Sequence, residues 1–296
     1  MMEWKEELNQ HTKEAEEVVT RYLPEEIGHQ KLLIEASNYS VLVGGKRLRP
    51  MIMLESFRAF GGKGEVIEPF MAALEMIHSG SLVHDDLPCM DNDEFRRGKP
   101  TTWKEYGYDM AVLAGDELFI YAFETAAKAF SMTDRADLVG KAIAILANKA
   151  GIYGMIGGQS VDVEYTNRPM TSGRLEFVYE LKTAALLEAA MMIGAVLAGA
   201  DEKQIQAAEL IAHHVGMAFQ IRDDVLDVVS TTEELGKPVK SDEKNNKTTF
   251  VTIYGVNGAS GLVREYSEQA MELLDQVCPD AVFLKRLFEY LIERKK

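Results

Sequence analysis

Hydrophobic positions recur at three- and four-residue spacing along nearly the whole chain. That period predicts helices over 2–20, 25–41, 50–60, 66–87, 102–107, 109–130, 134–164, 172–199, 202–229, 248–256, 259–275 and 279–294. Breaks are expected at Pro24, Gly44-Gly45, Gly61-Gly62, from Pro88 to Pro100, at Asn167-Arg168-Pro169, at Gly199, from Gly236 to Asn246, and at Asn257-Gly258. No hairpin turn lies between alternating runs, so strands are not predicted. Long helices with short connections predict an all-α fold, a large antiparallel bundle around one core. No linker and no repeat of about 20–50 residues divides the chain, so residues 1–296 read as a single domain.

Composition narrows the function. The chain has 296 residues, 47% of them hydrophobic, enough for a sizeable core. A net charge of −15 argues against a nucleic-acid partner, which needs a basic surface. Cys89 and Cys278 lie far apart and form neither a disulfide framework nor a zinc pattern, so a reducing cytoplasm is expected. The charged N-terminal segment lacks the apolar centre of a signal peptide. No run of about 20 apolar residues predicts a membrane span. The most apolar stretch, AALLEAAMMIGAVLAGA, is interrupted by Glu188 and reads as a buried helix.

Two acidic clusters change the picture. In QIRDDVLDV, Asp223 and Asp227 are one turn apart on the same helix face, with Gln220 one turn earlier. Stacked carboxylates beside Val225, Leu226 and Val228 call for a cation. The first cluster, Asp85, Asp86 and Asp91, spans Pro88. On an unbroken helix Asp85 and Asp91 would face different ways. Pro88 should end the helix and let the bent segment carry Asp91 back toward Asp85. Hard oxygen donors of this kind suit Mg²⁺, which binds one or two carboxylates and completes its shell with water and phosphate. A solvated acidic face explains either cluster alone; two such clusters, each closing an apolar helix, are harder to explain that way.

Basic residues gather nearby. Lys46, Arg47 and Arg49 sit in GGKRLRP, and Arg96, Arg97 and Lys99 follow the first acidic cluster. Lys182-Thr183 interrupts an apolar helix, Lys237 follows the second cluster, and Lys247 begins the next helix. Each alone reads as a surface residue. As a set against an acidic background, they suit a diphosphate.

The ordered motifs GGKRLRP, DDLPCMD, RRGKPT, Lys182-Thr183 and FQIRDDVLD resemble those of the trans-isoprenyl diphosphate synthases, the farnesyl and geranylgeranyl diphosphate synthases. The four-residue gap before Asp91 is similar to the bacterial and plant-plastid variant. The resemblance implies the isoprenoid synthase fold, a helical bundle with a central cavity, and a homodimer. It implies that Asp85, Asp86, Asp91, Asp223, Asp224 and Asp227 hold about three Mg²⁺ ions on an allylic diphosphate. Arg96, Lys182, Lys237 and Lys247 should contact that diphosphate, while Thr183 and Gln220 line its pocket. Lys46, Arg49, His78 and Arg97 should bind isopentenyl diphosphate. The implied reaction ionises the allylic substrate, adds the five-carbon unit and loses a proton to the departing diphosphate.

In farnesyl synthases of this type an aromatic residue usually stands five positions before the first aspartate. Here that position is Gly80, beside Ser79 and Ser81. A deeper cavity and a twenty-carbon product are expected, unless Met110, Phe119, Phe123 or Met155 forms the floor instead. Two competing readings, a class I terpene cyclase and a non-catalytic subunit of a heteromeric synthase, fit less well. Cyclases usually replace the second aspartate cluster, and silent subunits usually lose one of the two.

Overall fold

The computed structural model describes residues 2–229 and 248–293. Thirteen α-helices are present among them: α1 (Met2–Arg21), α2 (Lys31–Leu42), α3 (Leu48–Ala59), α4 (Glu68–Asp85), α5 (Thr102–Tyr106), α6 (Tyr108–Ala127), α7 (Ala136–Ala150), α8 (Met155–Glu164), α9 (Ser172–Val178), α10 (Ala185–Ala198), α11 (Glu202–Val229), α12 (Phe250–Val277) and α13 (Val282–Glu293). The all-α expectation holds. The main packing partners are α4 with α6, α3 with α10, α10 with α11, and α11 with α12.

Helices α4 and α10 are apolar on nearly every side and occupy the middle of the bundle. Phe70, Met71, Leu74, Met76 and Ile77 of α4 are fully enclosed, each contributing about 1.5–3 kcal/mol by leaving water. The segment Ser172–Ala198 has the length and hydropathy of a membrane span, but 78% of its most apolar window is buried inside the protein. It is a core helix.

Four departures from the sequence reading have local causes. Helix α2 starts at Lys31 rather than residue 25, because the preceding residues turn through Gly28 (φ 82°). The helix predicted over 134–164 divides into α7 and α8. At Gly154 the chain folds so tightly on α7 that a Cβ would sit 2.0 Å from the Lys149 carbonyl oxygen. In α12 the kink lies at Gly255 (φ 70°), not at Asn257-Gly258. Finally, a two-residue antiparallel hairpin, β1 (Phe95–Arg96) with β2 (Lys99–Pro100), occupies what reads as a loop. Its turn, Arg97-Gly98, has positive φ at both positions (54° and 77°), the geometry that suits a tight hairpin. Strands this short carry no alternation for a sequence reading to find.

An ionic cluster ties the helices together behind the segment that carries Lys182. Lys149 of α7 contacts Glu188 of α10 and, at 2.6 Å, Glu209 of α11. His213 of α11 lies 3.2 Å from Glu188 and 3.9 Å from Glu180. The hydrogen bond to Glu188 outweighs burial and raises the His213 pKa above its ordinary value of 6.5. Its stabilising contribution is therefore complete below pH 6.5 and lost as pH rises through the higher native value. His213→Gln is expected to lower stability by about 1–2 kcal/mol at pH 6, with the gap to wild type closing by pH 9 in thermal melts. A gap that widens with pH would contradict this.

Candidate active site

Helix α4 delivers the first acidic cluster. It ends at Asp85, and the chain then turns back on itself, so that the Asp91 N–H donates to the Asp85 carbonyl at 2.8 Å. The bend expected at Pro88 thus returns Asp91 to Asp85. Asp86 faces the other way. It is 4% exposed and accepts from Arg96 Nε at 2.8 and 3.0 Å and from Arg96 Nη2 at 2.6 Å. The β1–β2 hairpin makes this possible by folding Arg96 back against α4.

Helix α11 delivers the second cluster. Asp223 borders a cavity of about 860 Å³ that is also lined by Asp85, Arg96, Lys182, Thr183, Gln220, Arg49 and His78. The two aspartate helices therefore face one space. Asp224 does not line it. It is 4% exposed, its two oxygens share the single Tyr179 O–H donor (2.9 and 2.8 Å), and it accepts a further hydrogen bond from the Phe250 backbone N–H at 2.9 Å. Asp227 is buried one turn further along. Asp85 and Asp223 reach the cavity and Asp91 returns to Asp85, whereas Asp86 and Asp224 are engaged by protein donors.

Between these clusters stands a π-helical turn, Tyr179–Ala184, that joins α9 to α10. Its wider coil presents Lys182 and Thr183 to the cavity while Tyr179 reaches Asp224. Thr183 Oγ1 donates to Gln220 Oε1 at 3.0 Å. Helix α8 packs directly on this turn: a Cβ on Gly158 would lie 2.3 Å from the Lys182 backbone nitrogen, so only glycine fits. From the same helix, Gln159 donates to Asp85 Oδ1 at 2.6 Å and Asp162 accepts from Lys182 Nζ at 2.6 Å. The sequence reading missed both residues. The stretch after Gly157-Gly158, QSVDVE, mixes polar and apolar positions and singles out neither of them.

A second cavity, about 400 Å³, is lined by Gly45, Lys46, Arg47, Leu48, Arg49, Glu75, His78 and Arg97. Arg49 and His78 border both cavities, so the two spaces meet at these side chains. Burial, followed by the charges of Arg49, Arg97, Arg96 and Arg47, pushes the His78 pKa well below 6.5, so the imidazole is neutral. Burial and Arg97 likewise lower the Arg49 pKa, although Glu75 opposes them. Arg49 Nε is buried with no hydrogen-bond partner among the described residues. Crowded cations with an orphaned donor are what an incoming anion would satisfy. Arg47 is different in kind. It is 2% exposed and turned into the core, where it holds Glu16, Glu75 at 2.7 Å and the Val41 carbonyl at 2.6 Å.

The donor set suits a hard cation. Burial raises the Asp85 pKa to about 6; Lys182 and Arg96 oppose the shift, and Asp91 and Asp86 add to it. Among the described residues no three His, Cys, Asp or Glu side chains are grouped to hold a metal ion by themselves. Carboxylates divided between two helices can serve Mg²⁺, which takes one or two of them and shares substrate phosphate oxygens.

Gly80 and Ser79 are absent from the cavity lining. A Cβ on Gly80 would meet the Gly115 carbonyl and Leu118 Cβ at 3.2 Å and Phe119 Cε1 at 3.5 Å, because α4 and α6 cross closely there. Ser79 is buried near Asp86, Arg96 and Arg97. Phe119 and Met155 do line the cavity, and the Phe119 ring stands edge-on to His84 at 5.5 Å. Lys237 and Lys247 lie outside the described residues.

A helical bundle in which two aspartate-bearing helices and a set of cations enclose an apolar-walled cavity defines an isoprenoid synthase. The comparisons give the family. The polyprenyl synthetase family matches residues 30–289. Farnesyl diphosphate synthase of Geobacillus stearothermophilus is 39% identical over 97% of this chain and 96% of its own. Geranylgeranyl diphosphate synthase of Cyanophora paradoxa is 41% identical over 95% of this chain and 93% of its own. A Helicobacter pylori geranyltransferase, solved with magnesium and isoprenyl diphosphate, superposes with a TM-score of 0.82 at 31% identity, covering 96% of this chain and 95% of that one. The chain belongs to the polyprenyl synthetase family and is a head-to-tail prenyltransferase that makes short-chain prenyl diphosphates.

Proposed function

We propose that this enzyme condenses isopentenyl diphosphate with dimethylallyl, geranyl and farnesyl diphosphates, with geranylgeranyl diphosphate as its main product. The observation that carries the reading is that Asp85 and Asp223, from separate helices, border one cavity together with Lys182 and Arg96. Asp85, Asp91 and Asp223 would hold Mg²⁺, and three ions is the number the family resemblance implies. When bound, Mg²⁺ supplies Lewis acidity and neutralises charge on the leaving diphosphate.

The chain's own groups supply the rest. Lys182 and Arg96, with Lys237 and Lys247, bind the allylic diphosphate. Arg49, Arg97 and Lys46 take the isopentenyl diphosphate, and neutral His78 adds a hydrogen bond without adding charge. Because Arg49 and His78 border both cavities, the two substrates lie next to each other and their encounter becomes a directed step. The Thr183–Gln220 pair presents oxygen dipoles to the positive charge that develops on the allylic carbon. Leu87, Met90, Leu186 and Phe219 keep water from that carbon. The departing diphosphate accepts the final proton, so no protein base is required.

On the α4 side Ser81, Leu82 and the imidazoles of His78 and His84 line the cavity, with no Phe, Tyr or Trp among them. Phe119 of α6 also lines the cavity and is the ring assigned here to its floor. Purified enzyme given Mg²⁺, dimethylallyl and isopentenyl diphosphates should yield mainly a twenty-carbon product on chromatography. Phe119→Ala should shift the distribution to longer chains. A fifteen-carbon main product would overturn the length assignment alone, whereas no condensation would overturn the function.

Leu113, Ile120, Ile152, Tyr153 and Ile156 are exposed apolar side chains on α6, on the turn into α8 and at the start of α8. These side chains are candidates for covering by a second copy in the homodimer that the family resemblance implies. Cys89 and Cys278 are both free, which suits a reducing, cytoplasmic setting.

A further inference from the structure

Gln159 and Asp162 stand one turn apart on α8 and each grips a member of the active site. Gln159 holds Asp85 at 2.6 Å and Asp162 holds Lys182 at 2.6 Å. The Lys182–Asp162 pair is largely enclosed, with 30% and 16% of the side chains exposed. An ammonium has three N–H donors. Asp162 takes one of them from the α8 side, which leaves others directed into the cavity that Lys182 lines. Asp85 borders the same cavity and is the next carboxylate to act on Lys182 after Asp162. With Asp162 removed, a flexible four-carbon side chain would close on Asp85.

We propose that Asp162 is a positioning residue, anchoring the Lys182 ammonium on α8 so that it meets a diphosphate rather than pairing with Asp85. Two consequences follow from one contact. Lys182 keeps a fixed orientation before the ligand arrives, and the Asp85 carboxylate stays open to a divalent cation. The inference rests on the reading that Asp85 and Lys182 face a magnesium-bound diphosphate. It differs from the view that Asp162 is a simple competitor for Lys182, because a competitor's removal would tighten ligand binding.

The test is calorimetric titration with inorganic pyrophosphate at saturating Mg²⁺, which needs no turnover. Asp162→Asn should weaken binding at least tenfold, and Asp162→Glu should recover most of the loss. In a Lys182→Met background the same Asp162→Asn change should cost less than twofold, since its effect passes through Lys182. Binding by Asp162→Asn that is within twofold of wild type, or tighter, overturns the proposal. So does a tenfold loss that persists in the Lys182→Met background, which would mark Asp162 as merely structural. Failure of Asp162→Glu to recover also overturns it. Wild-type protein that does not bind magnesium pyrophosphate would instead remove the functional reading on which the proposal stands.

Discussion

Asp85→Ala is expected to lose at least about a thousandfold in kcat while keeping its helical circular dichroism and melting no lower than wild type. The two halves of this expectation have one cause. Folding raises the Asp85 pKa to about 6, mainly through burial, with Asp91 and Asp86 adding to the shift. A carboxyl raised in this way makes the fold less stable when ionised. That penalty is absent below its ordinary value of 3.8 and complete above about pH 6. Removing the charge at neutral pH should therefore return on the order of 1–3 kcal/mol of stability. On the proposed function, a divalent cation would relieve this strain when substrate binds. Retained turnover in Asp85→Ala, or a clear loss of melting temperature with activity lost in proportion, would contradict the assignment.

The second large effect is on stability. Arg47→Met should destabilise the protein by about 3–5 kcal/mol, because it leaves Glu75 charged and enclosed without its partner. Their side chains are 1% and 3% exposed, and their contact is 2.7 Å. For a chain of this size, thermal melts should show a drop of roughly 10 °C. The double variant Arg47→Met with Glu75→Leu should regain most of it, since paired apolar groups carry no desolvation cost. A drop of under about 2 °C in the single variant would show that the pair is not a structural anchor. Isopentenyl diphosphate should bind more weakly in Arg47→Met even below its melting temperature, because Arg47 and Arg49 border the same cavity.

The contrast between Arg47 and Arg49 shows what a sequence can and cannot carry. Both belong to GGKRLRP, and nothing in residue type separates them. Arg47, at a left-handed backbone position (φ 48°) just before α3, spends its guanidinium on Glu16, Glu75 and the Val41 carbonyl, whereas Arg49, inside α3, keeps a buried Nε with no partner among the described residues. The long helices were legible because a 3.6-residue hydrophobic period survives any arrangement of neighbours. The bend after Asp85 was legible because proline acts through its own backbone. The orientation of Asp224 was not, because it depends on Tyr179 and on the start of α12, far away in the chain. Gly80 is a related case. Its spacing from Asp85 places it on the correct helix, but the close crossing with α6 decides which way a side chain there would point.

Gln159 and Asp162 illustrate the remaining gap. Neither residue type nor spacing marks α8 as part of an active site. Only the approach of Gly158 to the π-helical turn brings that helix against Lys182. Where a function is assembled by side chains from many helices, the residues bearing the main charges announce themselves, and those that hold them in place do not.

The most direct measurement is a crystal structure of the protein grown with Mn²⁺ and inorganic pyrophosphate, with data collected for anomalous scattering. Manganese peaks lying between Asp85 and Asp223, bridged by pyrophosphate oxygens, are the predicted result. Pyrophosphate bound with no metal peak within coordinating distance of either carboxylate would contradict the account.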